Sequence, residues 1–129
     1  MVIDTSALAA IFFHEPERAN FRAAIIAANT RLISAATMLE AGMVIESRRG
    51  EGAGREFDLF AVRALQLVAV DAEQAELARS AWRRYGKGRH PAALNFGDCF
   101  VYALAKVSGE PILAKGTEFA KTDIVVSAI

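Results

Sequence analysis

Short apolar runs alternate with longer stretches of helical periodicity along the chain, and this alternation constrains the fold more than any single residue does. The runs fall at residues 2–4, 31–34, 67–70 and 112–114, with a weaker one at 124–126. Apolar runs of this length, bounded by polar or turn residues, predict strands covered on both faces. Helical spacing predicts helices over residues 5–13, from Pro16 to about 28, and over 36–49, 55–64, 72–85 and 97–106. The segment His14-Glu15-Pro16 stops the first helix, because a residue before proline is pushed out of helical backbone. Gly50, Gly52 and Gly54 separate the third from the fourth, and Asp71-x-x-Gln74 reads as a capping box. Residues 86–94, with Gly88 and Pro91, read as a loop. Strand–helix alternation predicts an α/β fold with a largely parallel central sheet. At 129 residues, without repeats or a linker-like stretch, residues 1–129 are expected to form one domain.

In an open parallel sheet, ligands bind beyond the carboxyl ends of the strands. Four acids stand at such positions or in first helical turns: Asp4, Glu40, Asp98 and Glu118. Each has a local explanation. Asp4 can cap the first helix, Thr37-x-x-Glu40 matches a capping box, and Asn95-Phe96-Gly97-Asp98 reads as a cap with a dipole-favoured acid. Glu118 reads as a solvated loop acid. Those local roles say nothing about the shared location. Carboxylates gathered at one edge repel and raise one another's pKa unless a cation neutralises them. His14 and His90 lie apart beside proline-containing turns, and Cys99 reads as a small core residue, so no nitrogen or sulfur ligand joins the set. An oxygen-only set suits Mg²⁺ or Mn²⁺ and phosphate chemistry. Asp71 also follows a strand, but its setting is that of a cap alone.

The sequence contains no P-loop, nucleophile elbow, dinucleotide fingerprint or Asp-x-Asp phosphatase signature. Formal net charge is zero, so a broad basic field for duplex binding is absent. One local basic segment stands out: Arg83, Arg84, Lys87 and Arg89, interleaved with Trp82 and Tyr85. Cations at a helix end explain part of it. A glycine-containing basic loop with aromatic neighbours also suits a single-stranded phosphate backbone. Trp82 is open to either reading, as a contact or as part of the core. A lone cysteine rules out an internal disulfide and fits a reducing compartment. With no leader-like start and no span-length apolar run, a cytoplasmic protein without a membrane segment is expected.

Four blocks together carry a resemblance: Val2-Ile-Asp4-Thr-Ser-Ala-Leu, Ser34-Ala-Ala-Thr-Met-Leu-Glu40, Leu94-Asn-Phe-Gly-Asp98-Cys-Phe-Val-Tyr, and Leu113-Ala-Lys-Gly-Thr-Glu118-Phe-Ala-Lys-Thr-Asp123-Ile. In order and spacing the chain resembles the PIN-domain ribonucleases, and among them the VapC-type toxins of type II toxin–antitoxin modules. The resemblance implies a three-layer α/β/α sandwich and a Mg²⁺- or Mn²⁺-dependent endoribonuclease that cleaves RNA with metal-activated water. It implies that Asp4, Glu40 and Asp98 are the three core acids, with Asp4 and Asp98 the main metal ligands. Glu118 stands where the family usually has aspartate, one methylene shorter. Thr5, Ser6 and Asn95 match supporting positions, and Asp123 is a further acid, a supporting or alternative ligand. A cognate antitoxin whose tail crosses the acidic groove, and a homodimer formed through helices, are implied as partners. The alternative is a catalytically weak module of the same fold that binds RNA or a protein, and the acids alone leave a DNA nuclease open.

Overall fold

Val2 pairs in parallel with Leu32 on one side and Ile112 on the other, so the first strand lies in the middle of the sheet. The computed structural model describes residues 1–129. Four strands, β1 (Val2–Ile3), β2 (Leu32–Ser34), β3 (Gln66–Val68) and β4 (Ile112–Leu113), run parallel in the order β3-β2-β1-β4. The helices are α1 (Thr5–Phe12), α2 (Arg18–Ala27), α3 (Ala35–Ala64), α4 (Ala72–Tyr85) and α5 (Phe96–Ser108), with a short 3₁₀ turn at Phe119–Lys121. The chain steps outward from β1 to β3, then returns to place β4 on the other side of β1. The reversal between β1 and β4 is the topological switch point, where such sheets leave a crevice.

Alternation along the strands divides the core into two layers. Val2, Leu32 and Ile112 pack with Ala78, Ala81 and Tyr85 of α4 and with the buried face of α5. Their neighbours Ile3, Ile33 and Leu113 point the other way, onto α1, α2 and α3. Successive strand residues face opposite sides of a sheet, so two helical layers follow from three short strands. The result is the three-layer α/β/α sandwich expected. Phe21 and Phe57 are fully buried in the second layer. Each such ring contributes roughly 2–3 kcal/mol by leaving water.

Several local expectations need correction. Only Gly50 interrupts the long helical stretch (φ 83°, ψ 172°), while Gly52 and Gly54 remain helical, so α3 is kinked at a single residue. The positive φ at Gly50 is a conformation glycine adopts without a Cβ penalty. Thr37-x-x-Glu40 is not a capping box, because the cap is Ser34, whose Oγ accepts from the Ala36 N–H at 3.3 Å. Gln74 completes only half of its box. Its N–H donates to Asp71 Oδ1 at 2.9 Å, but its side chain donates to the Ala69 carbonyl at 3.0 Å. The weak last strand reduces to one bridge between Ile112 and Val126. No helix is long and apolar enough to cross a membrane.

Candidate active site

The crevice at the switch point is built from the ends of β1 and β4. Asp4 leaves β1 in extended backbone, and its Oδ2 accepts from the Ser6 N–H at 2.8 Å and from the Ser6 hydroxyl at 2.5 Å. Capping α1 and presenting a carboxylate at the strand end are therefore roles of one side chain. Ser6 Oγ also accepts from the Lys115 N–H at 2.8 Å, stitching the end of β1 to the segment after β4. The Lys115 side chain extends the clasp, with Nζ 2.6 Å from Glu15 Oε2 and 3.1 Å from Glu17 Oε2. This double attachment fixes the start of the segment that carries Glu118.

Asp98 enters from the N-terminus of α5. Its Oδ2 accepts from the Asn95 N–H at 2.8 Å, while Asn95 Oδ1 accepts from the Asp98 N–H at 2.9 Å, a reciprocal capping box. Asn95 thus holds the Asp98 carboxylate through its own backbone N–H. Glu40 reaches the same place from the second turn of α3. Its carboxylate lies against Gly97, where any Cβ would collide with it. Glu118, exposed, folds its carboxylate over Gly116 (φ 106°).

Their fields overlap. Asp98 is pushed up from the usual 3.8 to about 6, mainly by burial and further by the charges of Asp4, Glu118 and Glu40, against the lowering pull of the Asn95 N–H. Asp4 is raised too, first by burial and then by Glu40, although both Ser6 bonds favour its ionised form. The four acids singled out from the sequence are therefore electrostatic neighbours. No three of them close into a preformed cage. An open, oxygen-only mouth suits a hard cation that keeps several of its own waters. Beside Asp4, the Thr5 hydroxyl oxygen is buried without a partner in the protein. Only a water or ligand can satisfy it. The oxygen-only donor set and this orphan fit the chemistry of Mg²⁺ or Mn²⁺.

Other expected residues lie elsewhere. Asp123 is not with the acids: Oδ1 accepts from the Tyr102 hydroxyl at 2.7 Å and Oδ2 from Lys106 Nζ at 2.9 Å. Its carboxyl is held below the usual range, chiefly by the Tyr102 bond. Arg84 is drawn into the same group, with Nη2 donating to the Tyr85 hydroxyl at 2.9 Å and Nη1 lying 3.9 Å from Asp123. Arg83 and Lys87 are exposed and form no ion pair, and the Arg89 guanidinium stacks 4.1 Å from the Trp82 ring centre. The core does not claim Trp82, which is 44% exposed. The core does claim Cys99, whose thiol burial pushes up to about 11.

Sequence reasoning missed Lys115 and Gly97. Nothing in the sequence marks Lys115, whose partners lie about a hundred positions away. Gly97 carried a signal, a helical glycine directly before a functional acid. Replacing it tests the geometry sharply. Gly97→Ala improves helix propensity by about 1 kcal/mol, yet the new methyl must displace the Glu40 carboxylate. We expect a melting temperature unchanged or raised and a clear fall in divalent-ion affinity, read by calorimetry. A variant that binds the ion as wild type does would remove Glu40 from the site.

Residues 1–125 match the family model described as the PIN domain. Ribonuclease VapC30 of Mycobacterium tuberculosis is 56% identical over 130 residues, spanning 100% of this chain and 99% of its own length. The chain belongs to the PIN-domain family, in its VapC ribonuclease branch. Among solved structures, the VapC20 toxin of Mycobacterium tuberculosis, described as cleaving the sarcin–ricin loop, superposes with a TM-score of 0.80 at 19% identity, over 99% of this chain and 98% of that one. A toxin–antitoxin complex from Klebsiella pneumoniae gives 0.72 at 20% identity, over 98% and 95%. At such identities the likeness is one of fold, and the PIN-domain sandwich is common to all three.

Proposed function

We propose that this PIN-domain protein is the toxin of a type II toxin–antitoxin pair, a Mg²⁺- or Mn²⁺-dependent endoribonuclease. The observation that carries the metal dependence is the mutual field of Asp4, Glu40, Asp98 and Glu118 at the switch point. Asp4 and Asp98 would hold the ion, and Glu40 and Glu118 would complete the site directly or through waters. When bound, the ion supplies charge for the scissile phosphate and acidifies a water for in-line attack. The chain's own contribution is placement: Ser6 fixes the Asp4 carboxylate, Asn95 fixes Asp98, and the Lys115 clasp fixes the segment bearing Glu118. No histidine or cysteine nucleophile is needed, since His14 and His90 lie off the site and Cys99 is buried.

The likeness to VapC ribonucleases and to a solved toxin–antitoxin complex supports an antitoxin partner, and the same charges would suit one. A guanidinium from its tail can replace the cation against these carboxylates in charge-assisted pairs. Leu39 and Met43, 65% and 63% exposed on α3, offer an apolar patch for a homodimer. Both partnerships belong to a cytoplasmic protein. Gel filtration of the chain alone and co-expressed with the adjoining gene product reads them together, and a lone monomer in both runs would end this part.

The nuclease reading is tested with the purified chain and labelled single-stranded RNA. Cleavage with Mn²⁺ and none in excess chelator is expected. Cleavage that persists in chelator contradicts the metal requirement. Mn²⁺ bound without any cleavage favours the binding-module reading.

A further inference from the structure

A groove of about 570 Å³ runs between α4 and α5, floored by Ala78, Leu94 and Cys99, walled by Trp82, Phe96 and Phe100, and reaching at one end Asn95, the residue that caps α5 and bonds Asp98. Phe96 is 81% exposed and meets Phe100 edge to face, with ring centres 4.9 Å apart. Phe96, Phe100 and Trp82 together leave a contiguous aromatic wall open to water, and such a patch, unlike a single exposed ring, marks a binding surface. The rim is cationic. Arg79 and Lys87 line the groove without an acidic partner, and Arg89 lies over one face of Trp82. No carboxylate lines it.

The rim is also held in place. Leu94 N–H donates to the Tyr85 carbonyl at 2.9 Å, and Lys87 N–H donates to the Leu94 carbonyl at 3.0 Å, closing the loop that bears Lys87 and Arg89. Gly86 permits the closure, since a Cβ there would strike the Trp82 carbonyl.

We propose that this groove binds an unpaired nucleotide next to the scissile phosphate, with its base stacked on Phe96 and Trp82 and its phosphate paired with Lys87 or Arg79. The proposal rests on the nuclease reading for its placement and deepens it to single-stranded or looped RNA. Aromatic faces accept any base, and unpaired cations at the rim suit the backbone. A duplex keeps its bases stacked inside and has none to offer. A second copy of the chain is a poorer occupant. An isologous contact would bring this same cationic rim against itself.

Trp82 is the only tryptophan of the chain and reports on the groove directly. In metal-free buffer, where cleavage is absent, a short oligouridylate is expected to quench its emission saturably, and a duplex RNA is not. Phe96→Ala, at an exposed position, is expected to weaken binding about tenfold without unfolding. Lys87→Ala is expected to reduce the salt slope by about 0.7. No quenching, equal binding by Phe96→Ala, or an emission that changes with protein concentration rather than with RNA would each overturn the proposal, the last in favour of a second copy. The two readings fail separately. Mn²⁺-dependent cleavage without quenching sinks the groove alone, and quenching without cleavage sinks the nuclease alone.

Discussion

Asp98→Asn is expected to lower Mn²⁺-dependent RNA cleavage by about a hundredfold to a thousandfold, the rate equivalent of several kcal/mol of lost transition-state stabilisation. The substitution is nearly isosteric. Its amide oxygen can still accept from the Asn95 N–H, so the cap of α5 survives. What disappears is a negative charge that burial and three like-charged neighbours disfavour and that the Asn95 N–H alone supports. The same removal relieves repulsion, so the metal-free variant is expected to melt at or above the wild-type temperature at neutral pH. Loss of activity with retained or raised stability is the signature of an acid kept for chemistry at a cost to the fold. Equal cleavage by the two proteins, at equal Mn²⁺, would refute the role of Asp98.

A second expectation concerns pH and the ion together. Asp98 titrates near 6 in the folded chain and near 3.8 when unfolded, and Asp4 is shifted in the same direction. Between those values the native state binds more protons than the unfolded state. By linkage, the contribution of these groups to stability is largest below about pH 4 and is lost as pH rises through about 6. This is opposite in sign to an aspartate stabilised by a salt bridge. Mn²⁺ reverses the trend, because it binds the ionised carboxylates and must displace protons at low pH. At roughly a hundredfold above its dissociation constant a ligand adds about 2.7 kcal/mol, which is a rise of roughly 5–15 °C for a domain of this size. Calorimetric scans at about pH 5 and about pH 7.5, with and without Mn²⁺, are expected to show a large metal-induced rise only at the higher pH. Equal shifts at both would mean that the ion sits away from the raised carboxylates.

The layered architecture was legible because its cause is local. Val2-Ile3, Leu32-Ile33 and Ile112-Leu113 are apolar on both faces, and a strand covered on both sides needs helices above and below. Asp4 and Asp98 were legible for the same reason: each follows directly on a strand end or a helix cap. Glu40 was found by position but misread locally, since the hydroxyl that caps α3 belongs to Ser34 and not to Thr37. Asp123 misled because closeness in sequence to Glu118 does not fix side-chain direction, and the Tyr102 hydroxyl and Lys106 ammonium compete for its oxygens. Lys115 was invisible because its work depends on Ser6, Glu15 and Glu17, which only the finished sheet brings near. Trp82 stayed open to both readings until the packing of α4 on α5 left it half in solvent.

The central claim, that Asp4 and Asp98 share one divalent ion at the β1–β4 crevice, is tested most directly by a crystal grown or soaked in Mn²⁺ and measured at a wavelength where manganese scatters anomalously. The account predicts a single strong peak, or a close pair, in contact with oxygens of both aspartates and of neither Asp123 nor Asp71. A map with no peak there at saturating Mn²⁺, or with its peak on Asp123, would contradict it.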